Sequence, residues 1–368
     1  MLYSGGRLVV KFGGTSVRDD FGEAVTFVSR LWDENEVAVV VSAIKGVTDA
    51  LLKFSSTGEG FEWIEKVHRD FAKKYGIPFE VFIGPLRELK KLSREDFPSF
   101  EAYRDHVLSY GEWLSGLAFA EALRREGIQV ELFEPWEIIE TDGNFGNARV
   151  DITKTSQNLK VVEEALERGR VTVIPGFVGS YNGLRTTLGR EGSDYTAAVL
   201  GKGLNAKAVL IMSSVDGIYT ADPRRVVSAR LIPFVSYDEL YVASKAGMKA
   251  IHHGAIDVVR GIPIIFGRTR NWSIGTIAGY ESSSLPILVH KVNGEEAVIT
   301  AVGVSEIPGF ETESGSERGI PWARIEVSTS RLGSTLNRLH LLLVGGRVNL
   351  PRTLSIVHER RGVSANNV

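Results

Sequence analysis

The chain has 368 residues, 43% of them hydrophobic and 24% charged, which suits two ordinary globular domains and excludes disordered and fibrous classes. Lys and Arg number 43 and Asp and Glu 45, a net charge of −2, so no basic excess points to nucleic acid or an anionic membrane. Cys is absent, which removes disulfides, thiolate catalysis and Cys-ligated metals. No apolar run approaches the roughly 20 residues of a membrane helix. The opening MLYSGGRLVVKFGG lacks a basic segment followed by a long apolar stretch, so a cytoplasmic protein is expected.

Arg7–Phe12 predicts a strand that ends in Gly13-Gly14. Phe21–Trp32 places Phe21, Val25, Val28 and Leu31 at helical spacing, and Val37–Ser42 reads as a buried parallel strand. After a helical pair at 61–75 and 79–92, inserted over 57–100 as either a cap or a packing element, the alternation resumes. It predicts helix 107–125, strand 130–133, helix 153–168, strand 171–177, helix 195–204, strand 208–212, helix 250–260 and strand 262–266. That order implies one α/β domain over 1–280 with a mainly parallel sheet and ligand loops along its C-terminal edge. Beyond Glu281-Ser-Ser-Ser284, short strand candidates at 297–304, 323–328, 339–344 and 354–358 and a mobile loop at 311–319 predict a small second domain, 281–368.

Six loops carry candidate chemistry. In Lys11-Phe-Gly-Gly-Thr-Ser-Val17 two adjacent glycines leave backbone N–H groups open to a phosphate, with Lys11 as counter-charge; a plain βα turn is the alternative. The spacing is neither a Walker P-loop nor a GxGxxG dinucleotide loop. Ser42 and Thr48 offer hydroxyls after the second strand, although Thr48 alone reads as a helix N-cap. Glu112 stands among Leu108, Leu114, Leu117 and Phe119, where a carboxylate needs a partner: a Lys or Arg of the fold, or a ligand's ammonium group.

The richest loop is Leu188-Gly-Arg-Glu-Gly-Ser-Asp-Tyr195. It crowds Gly, Arg, Ser and Asp before a helix that Ser193 or Asp194 would cap, an arrangement suited to an anion. Arg190 can grip a carboxylate through two parallel hydrogen bonds. In the fifth loop, Ser213–Arg224, Tyr219 can stack on a base and Arg224 can reach a phosphate, or the segment is a polar turn. In the sixth, Gly247–His253, Lys249 precedes a helix. His252 and His253 are not expected to form a metal pair, because neighbours on a helix do not face each other.

Together these loops resemble the aspartate kinases of the amino-acid kinase superfamily. The likeness runs through KFGGTSV (11–17), SAIKGVTD (42–49), YGEWLS (110–115), TDGNFGNARVD (141–151), PGFVG, TTLGREGSDYTAA, VDGIYTADPR and GMKAIHH, in family order over residues 7–280. The resemblance implies a three-layer α/β/α sandwich of the amino-acid kinase type with a small C-terminal α+β domain, ACT-like but reduced. It places an acceptor lobe at about 1–205 and a nucleotide lobe at about 206–280. It implies ATP-dependent phosphorylation of the side-chain carboxylate of L-aspartate, with Mg²⁺ held mainly by ATP oxygens and no protein metal cage.

By the same resemblance, Lys11, Gly13, Gly14 and Lys249 would hold the transferring phosphates, and Asp194 would orient the lysines. Ser42, Thr48, Glu112 and the turn Arg190, Glu191, Gly192 and Ser193 would hold the acceptor. Ser213, Ser214, Tyr219 and Arg224 would line the nucleotide site. A homodimer or higher homo-oligomer and an amino-acid effector are further expectations. The sequence departs from the family at Glu191, where the pattern has Gly, at Ser213-Ser214, where it has Thr-Asp, and at His253, where it has Pro. These changes admit a second acceptor, the hydroxyl of L-homoserine, and leave a non-catalytic nucleotide-binding subunit as a third reading.

Overall fold

A computed structural model describes residues 5–345 and the backbone of 354–355. The chain begins with β1 (Arg7–Phe12), α1 (Gly14–Asp19), α2 (Phe21–Trp32), β2 (Glu36–Val41) and α3 (Val47–Thr57). It continues with α4 (Phe61–Tyr75), α5 (Glu80–Lys91), α6 (Phe100–Arg125), β3 (Val130–Leu132), α7 (Pro135–Ile138), α8 (Ile152–Asn158) and α9 (Lys160–Glu167). Next come β4 (Val171–Pro175), β5 (Val178–Tyr181), β6 (Leu184–Thr187), α10 (Gly192–Gly203), β7 (Ala208–Ser213), β8 (Phe234–Ser236), α11 (Tyr237–Lys245) and α12 (His253–Val259). The last elements are β9 (Ile264–Arg268), β10 (Ser273–Gly279), β11 (Ile287–Asn293), β12 (Glu296–Val302), β13 (Glu313–Glu317), β14 (Ile320–Ser328), α13 (Leu332–Leu343) and β15 (Leu354–Ser355).

One sheet runs β15-β10-β9-β7-β1-β2-β4-β3, with β8 also on β10. From β9 to β3 every neighbour is parallel. The continuous apolar strands follow from burial on both faces. In β1, Leu8, Val10 and Phe12 enter one core with α2, α4, α5 and α6, while Val9 enters another with α9, α10, α11 and α12. This two-sided alternation produces the expected three layers. The α4–α5 insert joins the first core through Ile64, Phe71, Phe82, Leu86 and Leu89, so it packs as part of that layer.

A second sheet, β11-β12-β14-β13, is antiparallel throughout. One face, with Ala297, Ile299, Ala301, Ala323 and Ile325, packs under Leu332, Leu336 and Leu339 of α13. The opposite face turns Ile287, Val289, Val302 and Trp322 toward the second core of the main sheet. Lys245 pairs with Glu317 at 2.6 Å, and Arg318 pairs with Asp257 at 2.6 Å, across that seam.

Several expectations change. The segment 339–343 is helix, not strand, and Val344 is its C-cap: Leu332, Leu336 and Leu339 recur at helical spacing and bury together. The expected mobile loop at 311–319 contains β13, held by its ladder with β14, by Arg324 pairing with Glu313 at 2.6 Å, and by Gly315 lying against the Trp322 ring. Helix 153–168 is two helices, broken at Leu159, and Thr155 in the first of them accepts from the Glu140 N–H at 3.1 Å. The strand expected over 171–177 stops at Pro175; Phe177 takes a positive φ of 67° and opens the β5–β6 hairpin. The helix expected from 250 starts at His253. Residues 356–358 of the last strand candidate lie outside the described residues. Among the described residues no helix is long and apolar enough to cross a membrane.

Candidate active site

Parallel pairing brings the ends of β1, β2, β4 and β7 to one edge of the sheet. Lys11 stands opposite Val40 on one side and Ile211 on the other, near the end of β1. Its side chain is only 11% exposed, and Nζ lies 2.5 Å from Asp194 Oδ1, itself 7% exposed. Of the two following glycines, Gly13 donates its N–H to Met212 O at 3.2 Å, so that group is not open to a phosphate as expected, and Gly14 interlocks the first two loops. A Cβ on Gly14 would sit 2.6 Å from the carbonyl oxygen of Ala43, while the Lys45 N–H donates to Gly14 O at 3.1 Å. Only glycine permits that approach. Ser42 is fixed beside it through its N–H to Phe12 O at 3.1 Å.

Glu112 reaches the same place from α6. It is 4% exposed, and Oε2 has no hydrogen-bond partner among the described residues. Burial pushes its carboxyl up to about 8, against the opposing pull of the Ala43 N–H, its own N–H and the Lys11 charge. An unmet buried oxygen on a carboxylate costs stability unless something fills the need. The sequence-based choice between a Lys or Arg partner and a ligand's ammonium is therefore narrowed: among the described residues no side-chain cation bonds Oε2.

The turn before α10 completes this side. Gly176 allows β4 to pass directly over the helix start, since a Cβ there would lie 2.6 Å from Ser193 Cβ. Ser193 and Asp194 are buried in the first turn, and neither caps the helix as expected. The N-cap is Glu191, held at φ 56° with no side-chain cap bond. Its carboxyl is raised by burial and by Asp194, and pulled back by Lys11, Lys249 and Arg190. The family's Gly suits that left-handed position without strain; Glu191 instead places an acid among three cations. Arg190 itself is exposed.

The opposite side of the edge is looser. Ser213 Oγ bonds the backbone of Val215, and Ser214 is exposed. Tyr219 donates to Asp216 Oδ1 at 2.8 Å, and its hydroxyl is pushed up to about 12, mainly by burial. Arg224 is 88% exposed and turns back onto Asp222 through two hydrogen bonds of 3.0 and 2.9 Å. Lys249 is exposed in the loop before α12. His252 caps that helix by accepting from the Gly254 N–H at 3.2 Å. Because His252 lies outside the helix, its ring does meet His253, with centroids 4.1 Å apart, contrary to the expectation from helical geometry. Among the described residues no group of three His, Asp or Glu could hold a metal ion.

Thr48 lies within the first turn of α3, whose N-cap is Gly46, so Thr48 is not the cap. Sequence reasoning missed Asp105. It is fully buried and accepts from Gly146 N and Thr187 N, both at 2.7 Å, tying the 141–151 loop to the β5–β6 hairpin. The signal was available: Asp105 stands two helical turns before Glu112, on the same face of α6.

Residues 6–267 match the model of the amino acid kinase family. The lysine-sensitive aspartokinase 3 of Escherichia coli is 34% identical over 278 residues, covering 72% of this chain and 62% of that protein. The aspartokinase of Chlamydia muridarum is 32% identical, covering 67% of this chain and 56% of its own length. The chain thus spans less than two thirds of the length of these curated relatives. The crystal structure of E. coli aspartokinase III in complex with aspartate and ADP superposes with a TM-score of 0.79 at 21% identity, over 90% of this chain and 98% of that one. The Clostridium acetobutylicum aspartate kinase superposes with a TM-score of 0.70 at 19% identity, over 93% of this chain and 100% of that one. The match across most of the main sheet and its loops is decisive: the chain belongs to the amino acid kinase family.

Proposed function

We propose that this chain transfers the γ-phosphoryl group of ATP to the side-chain carboxylate of L-aspartate, giving an acyl phosphate and ADP. The observation that carries the reading is Glu112: a buried carboxylate with one unmet oxygen, beside a lysine and the start of α10. An amino acid's α-ammonium supplies the missing partner. The aspartokinase identity of the matched relatives, and the aspartate and ADP named for the E. coli structure, support the choice of acceptor and donor.

In this reading the acceptor lies over β1 and β2, between Ser42, Thr48, Glu112 and the Arg190–Ser193 turn. Arg190 meets a carboxylate of the acceptor. The nucleophile needs no general base, since a carboxylate of reference pKa about 3.9 is already ionised at neutral pH. One of its oxygens attacks phosphorus as the bond to the β-phosphate oxygen breaks. Lys11, Lys249 and the Gly14 N–H at the start of α1 neutralise the charge spread over the three equatorial oxygens. Asp194 holds Lys11 in place through their 2.5 Å ion pair.

Ser213, Ser214, Tyr219 and Arg224 bound the nucleotide side, where Arg224 must leave Asp222 to reach a phosphate. Mg²⁺ fits as an ion carried in on the nucleotide's oxygens. Asp194, beside the proposed phosphate lysine, is engaged with Lys11. When bound, the ion shields phosphate charge; the residues here supply position. A homo-oligomer belongs to the same proposal, as does a small-molecule effector, the latter supported by the lysine named for a second E. coli structure, which superposes with a TM-score of 0.74.

The test is ADP release under Mg-ATP with aspartate, homoserine, glutamate or no acceptor, with hydroxylamine trapping in parallel. Aspartate-dependent release with a trapped hydroxamate is expected. Release with homoserine and no hydroxamate would replace the acceptor, and nucleotide binding without any turnover would leave a binding subunit.

A further inference from the structure

The loop between β7 and β8, which carries Tyr219 and Arg224, is not supported by the main sheet alone. Its middle is built into the C-terminal unit. Ala221 and Val226 are buried in the same core as Leu332, Leu336 and Leu339 of α13. The Leu288 N–H of β11 donates to Thr220 O at 2.8 Å. Asn337 Nδ2 donates to Arg225 O at 3.0 Å.

At the centre is His340, 1% exposed, near the end of α13. Its Nε2 lies 2.8 Å from Thr220 Oγ1 and its Nδ1 lies 2.9 Å from Ser228 Oγ. Thr220 Oγ1 also accepts from the Arg230 N–H at 2.9 Å, so one imidazole ties both limbs of the loop together. A neutral ring has one donor and one acceptor nitrogen, and each hydroxyl can answer either. Both ring nitrogens are therefore satisfied, one by buried Thr220 and the other by Ser228 at the surface.

The same unit touches the other cationic loop. Gly247, two residues before Lys249, rests against Val289 and Lys291 of β11. His290 of that strand lies in the field of Asp222, Arg224, Arg225 and Lys249. The strand–helix pair β11 and α13 thus spans both loops that the proposed function assigns to the nucleotide. Both elements lie beyond residue 267, where the match to the family model ends.

We infer that His340 is a positioning residue for the nucleotide: it holds the Tyr219–Ser228 loop in its binding shape from outside the kinase core. The inference rests on the nucleotide role proposed above for that loop. Its consequence is directional. Loss of His340 weakens ATP and ADP and spares the acceptor side, whose residues Lys11, Glu112 and Asp194 are set by β1, α6 and α10.

The experiment compares the full chain with His340→Ala, His340→Gln and Thr220→Val. It reads the ADP dissociation constant by calorimetry, KM for Mg-ATP, KM for aspartate, kcat, and the melting temperature as a folding check. The expected result for His340→Ala is about tenfold weaker ADP binding and a matching rise in KM for ATP, the size of one or two lost hydrogen bonds. KM for aspartate and kcat stay within about twofold. His340→Gln, which keeps one hydrogen bond, falls between. Unchanged ADP affinity in folded His340→Ala would overturn the inference, as would equal weakening of nucleotide and acceptor. Should His340→Ala fail to fold, Thr220→Val removes one hydroxyl from the same junction and is judged by the same criteria. ADP binding is read without turnover. A wild-type chain that binds ADP but never phosphorylates aspartate refutes the proposed reaction and leaves this test intact.

Discussion

The two sides of the sheet edge are built differently. On the acceptor side Lys11, Glu112 and Asp194 are nearly sealed from water, and Glu112 keeps an unmet oxygen. On the nucleotide side the polar groups satisfy one another: Ser213 with Val215, Tyr219 with Asp216, Arg224 with Asp222. The first side stores an unfavourable burial that a small ligand relieves. The second starts relaxed and must exchange its own contacts for a ligand's, with its shape supplied by the C-terminal unit. A preorganised, desolvated charge is worth most where charge develops, so changes on the acceptor side should be the costlier ones.

Lys11→Ala should have the largest effect, lowering kcat by about a thousandfold, the scale of losing a main electrostatic contact to the transferring group. A melting curve checks that the chain still folds; near-normal turnover would break the comparison at its root.

Glu112→Gln comes next. Acceptor KM should rise about a hundredfold, as expected for removing a charged partner of a buried ammonium. The same variant should melt higher than the parent above about pH 8. The folded-state pKa of Glu112 is raised to about 8, so folding favours its protonated form. Its ionisation therefore erodes stability as pH climbs from the unfolded value toward about 8, and Gln has no such loss. A fall in stability at high pH would mean that Glu112 is a structural anchor instead.

The third prediction is a slope. An ammonium needs ionised Glu112, so below about 8 the acceptor KM should rise roughly tenfold per pH unit of acidification and level off above it. KM for ATP should not share that slope.

Glu191→Gly should act more gently and in the opposite sense. It removes an acid that competes for Lys11, Lys249 and Arg190 and relieves a non-glycine residue at φ 56°. Acceptor KM should fall about threefold, a fraction of the value of one exposed ion pair to each cation. A rise in KM would make Glu191 a direct contact.

Smallest of all, Arg224→Ala should raise KM for ATP by no more than about threefold, because its gain on binding is offset by the Asp222 contacts it gives up.

Much of the main domain was legible because buried parallel strands leave an unmistakable mark. Leu8–Val10 and Val37–Val41 are apolar on both faces, and each is followed by glycines or hydroxyls where backbone must approach closely. Lys11, Glu112 and Asp194 each stood out in their own segments, but they were grouped only through the family resemblance, and only the fold shows that one ion pair and one orphan oxygen result. The C-terminal unit was less legible. Leu339–Val344 reads as a strand because its leucines are consecutive, and the helical repeat lies upstream at Leu332 and Leu336. Glu313–Glu317 has almost no strand propensity and owes its shape to its partner strand. The bridge from Thr220 to His340 spans 120 residues and leaves no local trace.

The most direct test of the whole account is acceptor-dependent phosphoryl transfer with hydroxylamine present. The account predicts ADP release that requires aspartate and yields a hydroxamate, lost in Lys11→Ala and restored by raising aspartate in Glu112→Gln. ADP release that proceeds equally without aspartate, or with homoserine and no hydroxamate, would contradict it.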